Sequence, residues 1–160
     1  MSINVGDPMP KGQFSRMGAN GPEPVSSDDL FRGKKVVLFS VPGAFTPTCS
    51  AKHLPGFINN FDKLKAKGID TIACMAVNDV FVMKAWGESS KAAGKVEMLA
   101  DGNGEYARAL GLELDASKFG MGTRSKRFSV IVDNGVVKTL NIEPPGEFGV
   151  SSAEQALKQL

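Results

Sequence analysis

Short apolar runs alternate with polar, Gly- and Pro-rich segments along this chain, and the spacing within each run predicts an element. Lys35 to Val41 is a continuous β-branched and aromatic run, the pattern of a strand covered on both faces. Ile69 to Val77 is a second such run, ended by Asn78-Asp79, and Val96 to Ala100 is a third. Between them the period changes. Leu54, Phe57, Ile58, Phe61 and Leu64 recur at three- and four-residue spacing, predicting one helix from Thr48 to Lys67 that Gly68 stops. Pro55 falls inside it and predicts a kink, because it removes a hydrogen bond and crowds the preceding turn. Val80 to Ala93 and Glu105 to Leu110 read as further helices, the second preceded by the turn Asp101-Gly102-Asn103-Gly104.

The two ends are read from turn and cap chemistry. Gly6 to Pro24 is rich in Gly and Pro and predicts short strands and turns, and Val25 to Phe31 a short helix with a serine cap and an acidic first turn. Phe128 to Asp133 and Val136 to Ile142 flank Asn134-Gly135, a type I′ hairpin signal. Ser151-Ser152-Ala153-Glu154 reads as a capping box opening a last helix that runs to the C-terminus. The order β-α-β-α-β-(α)-β-β-α calls for an α/β fold, a mixed central sheet flanked by helices. A parallel first half followed by an antiparallel hairpin and a closing helix is the thioredoxin-like arrangement. With no repeat or linker in sight, the expectation is a single domain over residues 1–160.

Composition narrows the partners. Nineteen basic residues against seventeen acidic ones leave a formal charge of +2, and the longest basic cluster is Arg124-Ser125-Lys126-Arg127, which argues against nucleic acid. No apolar run approaches the roughly 20 residues a membrane span needs. Met1 to Asp7 lacks the basic and apolar regions of a signal peptide, so a cytoplasmic, reducing compartment is the expectation; a processed organellar form would look the same. Two cysteines and one histidine are too few for a four-ligand Cys/His zinc site. No metal and no cofactor is expected, since neither glycine loop, 101–104 or 119–122, fits a phosphate-binding pattern. The seven methionines are scattered, as core filling requires.

The chemistry gathers at Cys49. It falls where the strand ending at Val41 gives way to a helix, bracketed by Pro42-Gly43 and Thr46-Pro47. Backbone N–H groups and the positive end of a helix dipole there both favour thiolate, the reactive form of sulfur. Thr46, three residues earlier, brings a hydroxyl within reach of the sulfur, and Pro42 shields without donating a hydrogen bond. A C-x5-R phosphatase loop is excluded because Pro55 stands six residues on, and a thiol–disulfide oxidoreductase is disfavoured because CxxC is absent and position 46 is threonine. His53, four residues along the helix, reads mainly as a packing and hydrogen-bonding residue, with general-base catalysis as the lesser reading. Cys74, inside the apolar run, reads as a buried structural thiol, with resolution of an oxidised Cys49 as the lesser reading. Alternation along a strand would send Ser125 and Arg127 one way and Lys126 the other, a solvated edge that selects no cation for the site.

Pro42 to Phe57, PGAFTPTCSAKHLPGF, resembles the active-site segment of the peroxiredoxins, in particular the type II (peroxiredoxin-5-like) subgroup. Val77 to Gly87, Leu99 to Asp115, Gly120 to Val137 and Val150 to Leu160 extend the resemblance over nearly the whole chain. It implies a thiol peroxidase that reduces hydrogen peroxide and alkyl hydroperoxides, with Cys49 as the peroxidatic cysteine. Thr46 would then hydrogen-bond the peroxide and Pro42 would shield the pocket. Arg127 would stabilise the thiolate and polarise the peroxide, while Gly43 and Cys49 lend N–H groups to substrate oxygens; Arg124 is a weaker match. The resolving cysteine that some members carry near the tail is absent from Gly149-Val150-Ser151-Ser152. An external thiol is therefore expected to reset Cys49, glutaredoxin with glutathione first and thioredoxin next. The resemblance also implies a homodimer, through Phe45 and the Val80 to Trp86 region. The competing expectation is a thioredoxin-fold redox-sensing or chaperone module without turnover.

Overall fold

The computed structural model describes residues 2–160. Its centre is β3 (Lys35–Ser40), whose alternation builds the two layers of the molecule. Val37 and Phe39 face one core and Val36 and Leu38 the other, and all four are fully buried. β4 (Thr71–Ala76) lies parallel to β3, and β5 (Glu97–Ala100) lies parallel to β4. On the other side β8 (Phe128–Asp133) runs antiparallel to β3 and pairs with β9 (Val136–Ile142). β1 (Gln13–Gly18) and β2 (Gly21–Ser26) form a hairpin beyond β5, completing the order β2-β1-β5-β4-β3-β8-β9. Pro22 and Pro24 sit in the outermost of these strands, where a missing N–H costs no ladder bond.

Helices cover both faces. Leu54 and Phe57 of α2 (Leu54–Asn59), Leu64 of α3 (Phe61–Ala66), Trp86 of α4 (Val80–Ser90) and Ala156 of α6 (Ala153–Gln159) join the first core. Leu30 of α1 (Ser27–Phe31) and Tyr106 and Leu110 of α5 (Glu105–Leu110) join the second. This is the mixed, thioredoxin-like α/β fold that the element order implied. Asn134 and Gly135 take positive φ values of 48° and 82°, as the type I′ turn demands. A small ribbon of β6 (Glu113–Asp115) and β7 (Thr123–Ser125) has no counterpart in the pattern reading. Among the described residues no helix is long and apolar enough to cross a membrane.

Three expectations need correction. The single helix from Thr48 to Lys67 is three segments: a π turn over Cys49–His53, then α2 and α3. Leu54 N–H donates to Cys49 O, five residues back, so the wide turn leaves Pro55 near the start of a new helix, where its missing N–H is tolerated. The break falls instead at Asn60 (φ −101°, ψ 12°), whose side-chain amide donates to Gly56 O at 2.7 Å. α4 stops at Ser90, before Ala93, because Lys91 turns left-handed at φ 60°. The last helix is capped by Ser152, which accepts from Gln155 N–H at 3.2 Å; Ser151 points elsewhere.

Candidate active site

The loop after β3 is pinned at three points around Cys49, two before it and one after. Val41 N–H still donates to Met75 O of β4 at 3.2 Å, so the chain leaves the sheet buried. Ala44 N–H then donates to Asn78 Oδ1 at 2.9 Å, tying the loop to the residues that follow β4. Trp86 Nε1 donates to Ser50 Oγ at 3.1 Å, fixing the start of the π turn to α4. Phe45, between these anchors, is half exposed and left-handed at φ 64°, an unfavourable conformation for a bulky residue that only such anchoring maintains.

Cys49 opens the π turn and has no exposed surface. Two donors reach its sulfur, one from three residues away and one from a distant part of the chain. Thr46 Oγ1 lies 2.8 Å from Cys49 Sγ and 2.7 Å from Gly43 O, so its one hydroxyl proton has the sulfur and a carbonyl oxygen both within reach. Arg127 Nη2 donates to Cys49 Sγ at 3.0 Å from 78 residues along the chain. Arg127 thus sets a positive charge directly beside the sulfur.

Arg127 is itself held. Its Nη1 donates to Nδ1 of His53 at 2.9 Å, and its carbonyl accepts from Glu143 N–H at 3.0 Å. Burial first, and then the Arg127 charge, push the His53 imidazole down to about 3, so the ring is neutral at ordinary pH. His53 Nε2 donates to Ser151 O at 3.0 Å, and with both nitrogens engaged the ring has no lone pair for a general base. Glu143 is buried; burial works against its charge, but hydrogen bonds from Gly149 N–H and from the Ser151 hydroxyl and N–H hold it below the ordinary carboxylate range.

The alternation argument for residues 125–127 does not survive, because Lys126 and Arg127 lie where the chain crosses from the ribbon to the main sheet. Ser125 is fully buried and bonded to Ser40 Oγ at 2.7 Å, while Lys126 and Arg127 both line one groove of about 460 Å³. Pro42 and Thr48 line the same groove, along with Glu143 to Glu147. A β-carbon on Gly43 would come within 3.2 Å of Thr46 and Met121 and within 3.3 Å of Arg124, so a larger residue here would push those three side chains back by a few tenths of an ångström. Arg124 serves that closure, donating from Nε to Met121 O at 2.9 Å and from Nη1 to Pro42 O at 3.5 Å. The structure thus brings Pro42, Gly43, Thr46, Cys49 and Arg127 together. The pattern reading missed Asn78, Glu143 and Ser151; a serine pair before a helix signals a cap, and nothing local marks the other two.

Cys74 lies in the same core as Cys49, on β4, and is equally buried. Burial first, and then the neighbouring Cys49, push its thiol well above the ordinary range, against a smaller opposing effect of Arg127. Both cysteines are free thiols.

A thiol turned toward a threonine and an arginine, past the carboxyl end of a parallel strand of a mixed sheet, has the donors that a reactive cysteine on a thioredoxin-like frame needs. The redoxin family model matches residues 4–157, and the chain belongs to that family. It is 53% identical to peroxiredoxin-2D of Arabidopsis thaliana over 99% of this chain and 98% of that one. It is 48% identical to the chloroplastic peroxiredoxin-2E of the same plant, covering 99% of this chain and 70% of that one. The crystal structure of reduced Prx3 from Vibrio vulnificus in complex with hydrogen peroxide superposes with a TM-score of 0.94 at 53% identity, covering 98% of each chain. Within the redoxins the chain is a peroxiredoxin, a thiol-dependent peroxidase.

Proposed function

We propose that Cys49 reduces hydrogen peroxide and alkyl hydroperoxides, with Thr46, Arg127, Pro42 and Gly43 as its site partners. The observation that carries this is the convergence of Thr46 Oγ1 and Arg127 Nη2 on Cys49 Sγ, at 2.8 and 3.0 Å. The Cys49 thiolate attacks the terminal peroxide oxygen; the S–O bond forms as the O–O bond breaks. The pair of electrons leaves on the distal oxygen, which takes a proton and departs as water or alcohol, and Cys49 becomes a sulfenic acid. Charge moves from sulfur to the departing oxygen, so a guanidinium with two N–H arms and a hydroxyl stabilise the transition state more than the ground state. Pro42 keeps competing donors away from the sulfur, and Gly43 and Cys49 supply N–H groups to the substrate.

A sulfenic acid is restored by a thiol, here glutathione with glutaredoxin, or thioredoxin. Cys49 has no exposed surface, so an external thiol reaches it only after the π turn opens. The high-lying, buried thiol of Cys74 is a poor internal alternative. Phe45 is 52% exposed with its ring 6.4 Å from that of Trp86 on α4, and Phe81 of α4 is 64% exposed, which supports a homodimer through the region the resemblance names. Two free thiols support a reducing, cytoplasmic setting.

Peroxide consumption is measured with dithiothreitol, glutaredoxin plus glutathione, and thioredoxin in parallel. We expect turnover with each and fastest with glutaredoxin; equal consumption by Cys49→Ser would overturn the assignment of the thiol. A Cys49–Cys74 linked peptide after peroxide treatment would overturn external resolution, and sedimentation as a monomer at micromolar concentration would overturn the dimer.

A further inference from the structure

The mechanism above leaves His53 without a chemical task, although it is fully buried and bonded at both ring nitrogens. It has no exposed surface and lies among aromatic rings, with centroids of Phe39, Phe148 and Phe57 at 4.8, 5.0 and 5.7 Å. A guanidinium only donates, so Arg127 Nη1 at 2.9 Å requires a lone pair on His53 Nδ1. The ring proton therefore sits on Nε2 and is donated to Ser151 O at 3.0 Å. Ser151 is in turn clamped: its N–H and hydroxyl both donate to Glu143 Oε2 at 2.7 Å, as does Gly149 N–H. Glu143 N–H returns to Arg127 O at 3.0 Å, closing a circuit of hydrogen bonds.

Resting on the reading of Cys49 and Arg127 above, we propose that His53 is a positioning residue for the peroxidase. Held as the Nε2–H tautomer by the clamp of Glu143 on Ser151, it offers Nδ1 to Arg127 Nη1 and so keeps Nη2 on the sulfur of Cys49. Without His53, Arg127 has other partners within the same groove. Its side chain is half-buried at the wall of the groove that Glu143 and Glu147 also line, and a guanidinium released from His53 turns toward those carboxylates. The imidazole thus acts through arginine and transfers no proton to or from sulfur.

The chain has one histidine, which makes the test specific. Nitrogen NMR of the histidine-labelled, unsubstituted protein should show the Nε2–H tautomer and no titration between pH 5 and 8. An Nδ1–H tautomer, or a midpoint near 6.5, the unperturbed value, would overturn the proposal. In parallel, His53→Phe and His53→Asn are compared by the pH profile of Cys49 alkylation, read by mass spectrometry, and by single-turnover sulfenic acid formation at pH 7. His53→Phe should move the alkylation midpoint upward and slow oxidation roughly tenfold, while the Asn oxygen, able to accept from Arg127, recovers most of both. Equal behaviour of the Phe and Asn variants, or an unchanged profile for Phe, would overturn the positioning role. Failure of the unsubstituted protein to form a sulfenic acid at Cys49 would instead overturn the reading beneath it. The NMR measurement decides even where a substituted chain does not fold.

Discussion

Cys49 and Cys74 share one core, have no exposed surface and lie on neighbouring elements, yet their surroundings differ in kind. Cys74 sits mid-strand opposite Phe39, where every nearby backbone group is committed to the sheet and burial keeps its thiol protonated. Cys49 sits at the end of the loop that follows β3, where Thr46 and Arg127 aim polar hydrogens at the sulfur. Burial alone makes a thiol inert, whereas burial with directed donors makes it reactive. The carboxyl edge of the parallel strands is the part of this fold where such donors are free to be aimed.

That contrast is open to direct attack. Cys49→Ser should abolish peroxide consumption in the dithiothreitol assay, while Cys74→Ala should keep most of it; comparable losses would erase the distinction between the two thiols. Arg127→Ala should lower the second-order rate with peroxide by about 10²–10³, the range for removing one transition-state donor. Stopped-flow oxidation measures it, and Arg127→Lys should recover only part because a lysine cannot span Cys49 and His53 together.

Acid should weaken the same region. Unfolded, His53 binds a proton as the pH falls below about 6.5, whereas the folded ring holds out to about 3. Stability contributed by the neutral ring is therefore present above pH 6.5 and lost as the pH falls toward 3. Between pH 7 and pH 5 the loss should be about 2 kcal/mol, read from urea midpoints, and His53→Phe should flatten the dependence. The smallest effect is expected at Thr46→Val, which removes one hydrogen bond to sulfur and should slow oxidation by about tenfold. Thr46→Ser should keep the rate.

Much of this was written in local pattern. The β-branched run of β3, the Asn134-Gly135 turn and the strand-to-helix placement of Cys49 each follow from a few neighbouring residues. Arg127 did not, because alternation holds within a strand and this residue stands between two sheets; only the family resemblance singled it out. The π turn was hidden for another reason. Pro55 in a helical pattern signals a kink, but the wider turn before it absorbs the lost hydrogen bond and the real break passes to Asn60. Glu143 was silent because its carboxylate serves the backbone of residues 149–151, a link that no period encodes.

The bond from Trp86 to Ser50 has a consequence for watching the enzyme work. Trp86 is the one tryptophan in the chain, and its indole N–H is anchored on the residue next to the reactive thiol. If the turn opens to admit a reductant, as proposed above, that indole should lose its partner and the ultraviolet emission of the protein should change with it. Light emitted by a single residue would then follow each cycle of oxidation and repair in real time, with no dye attached.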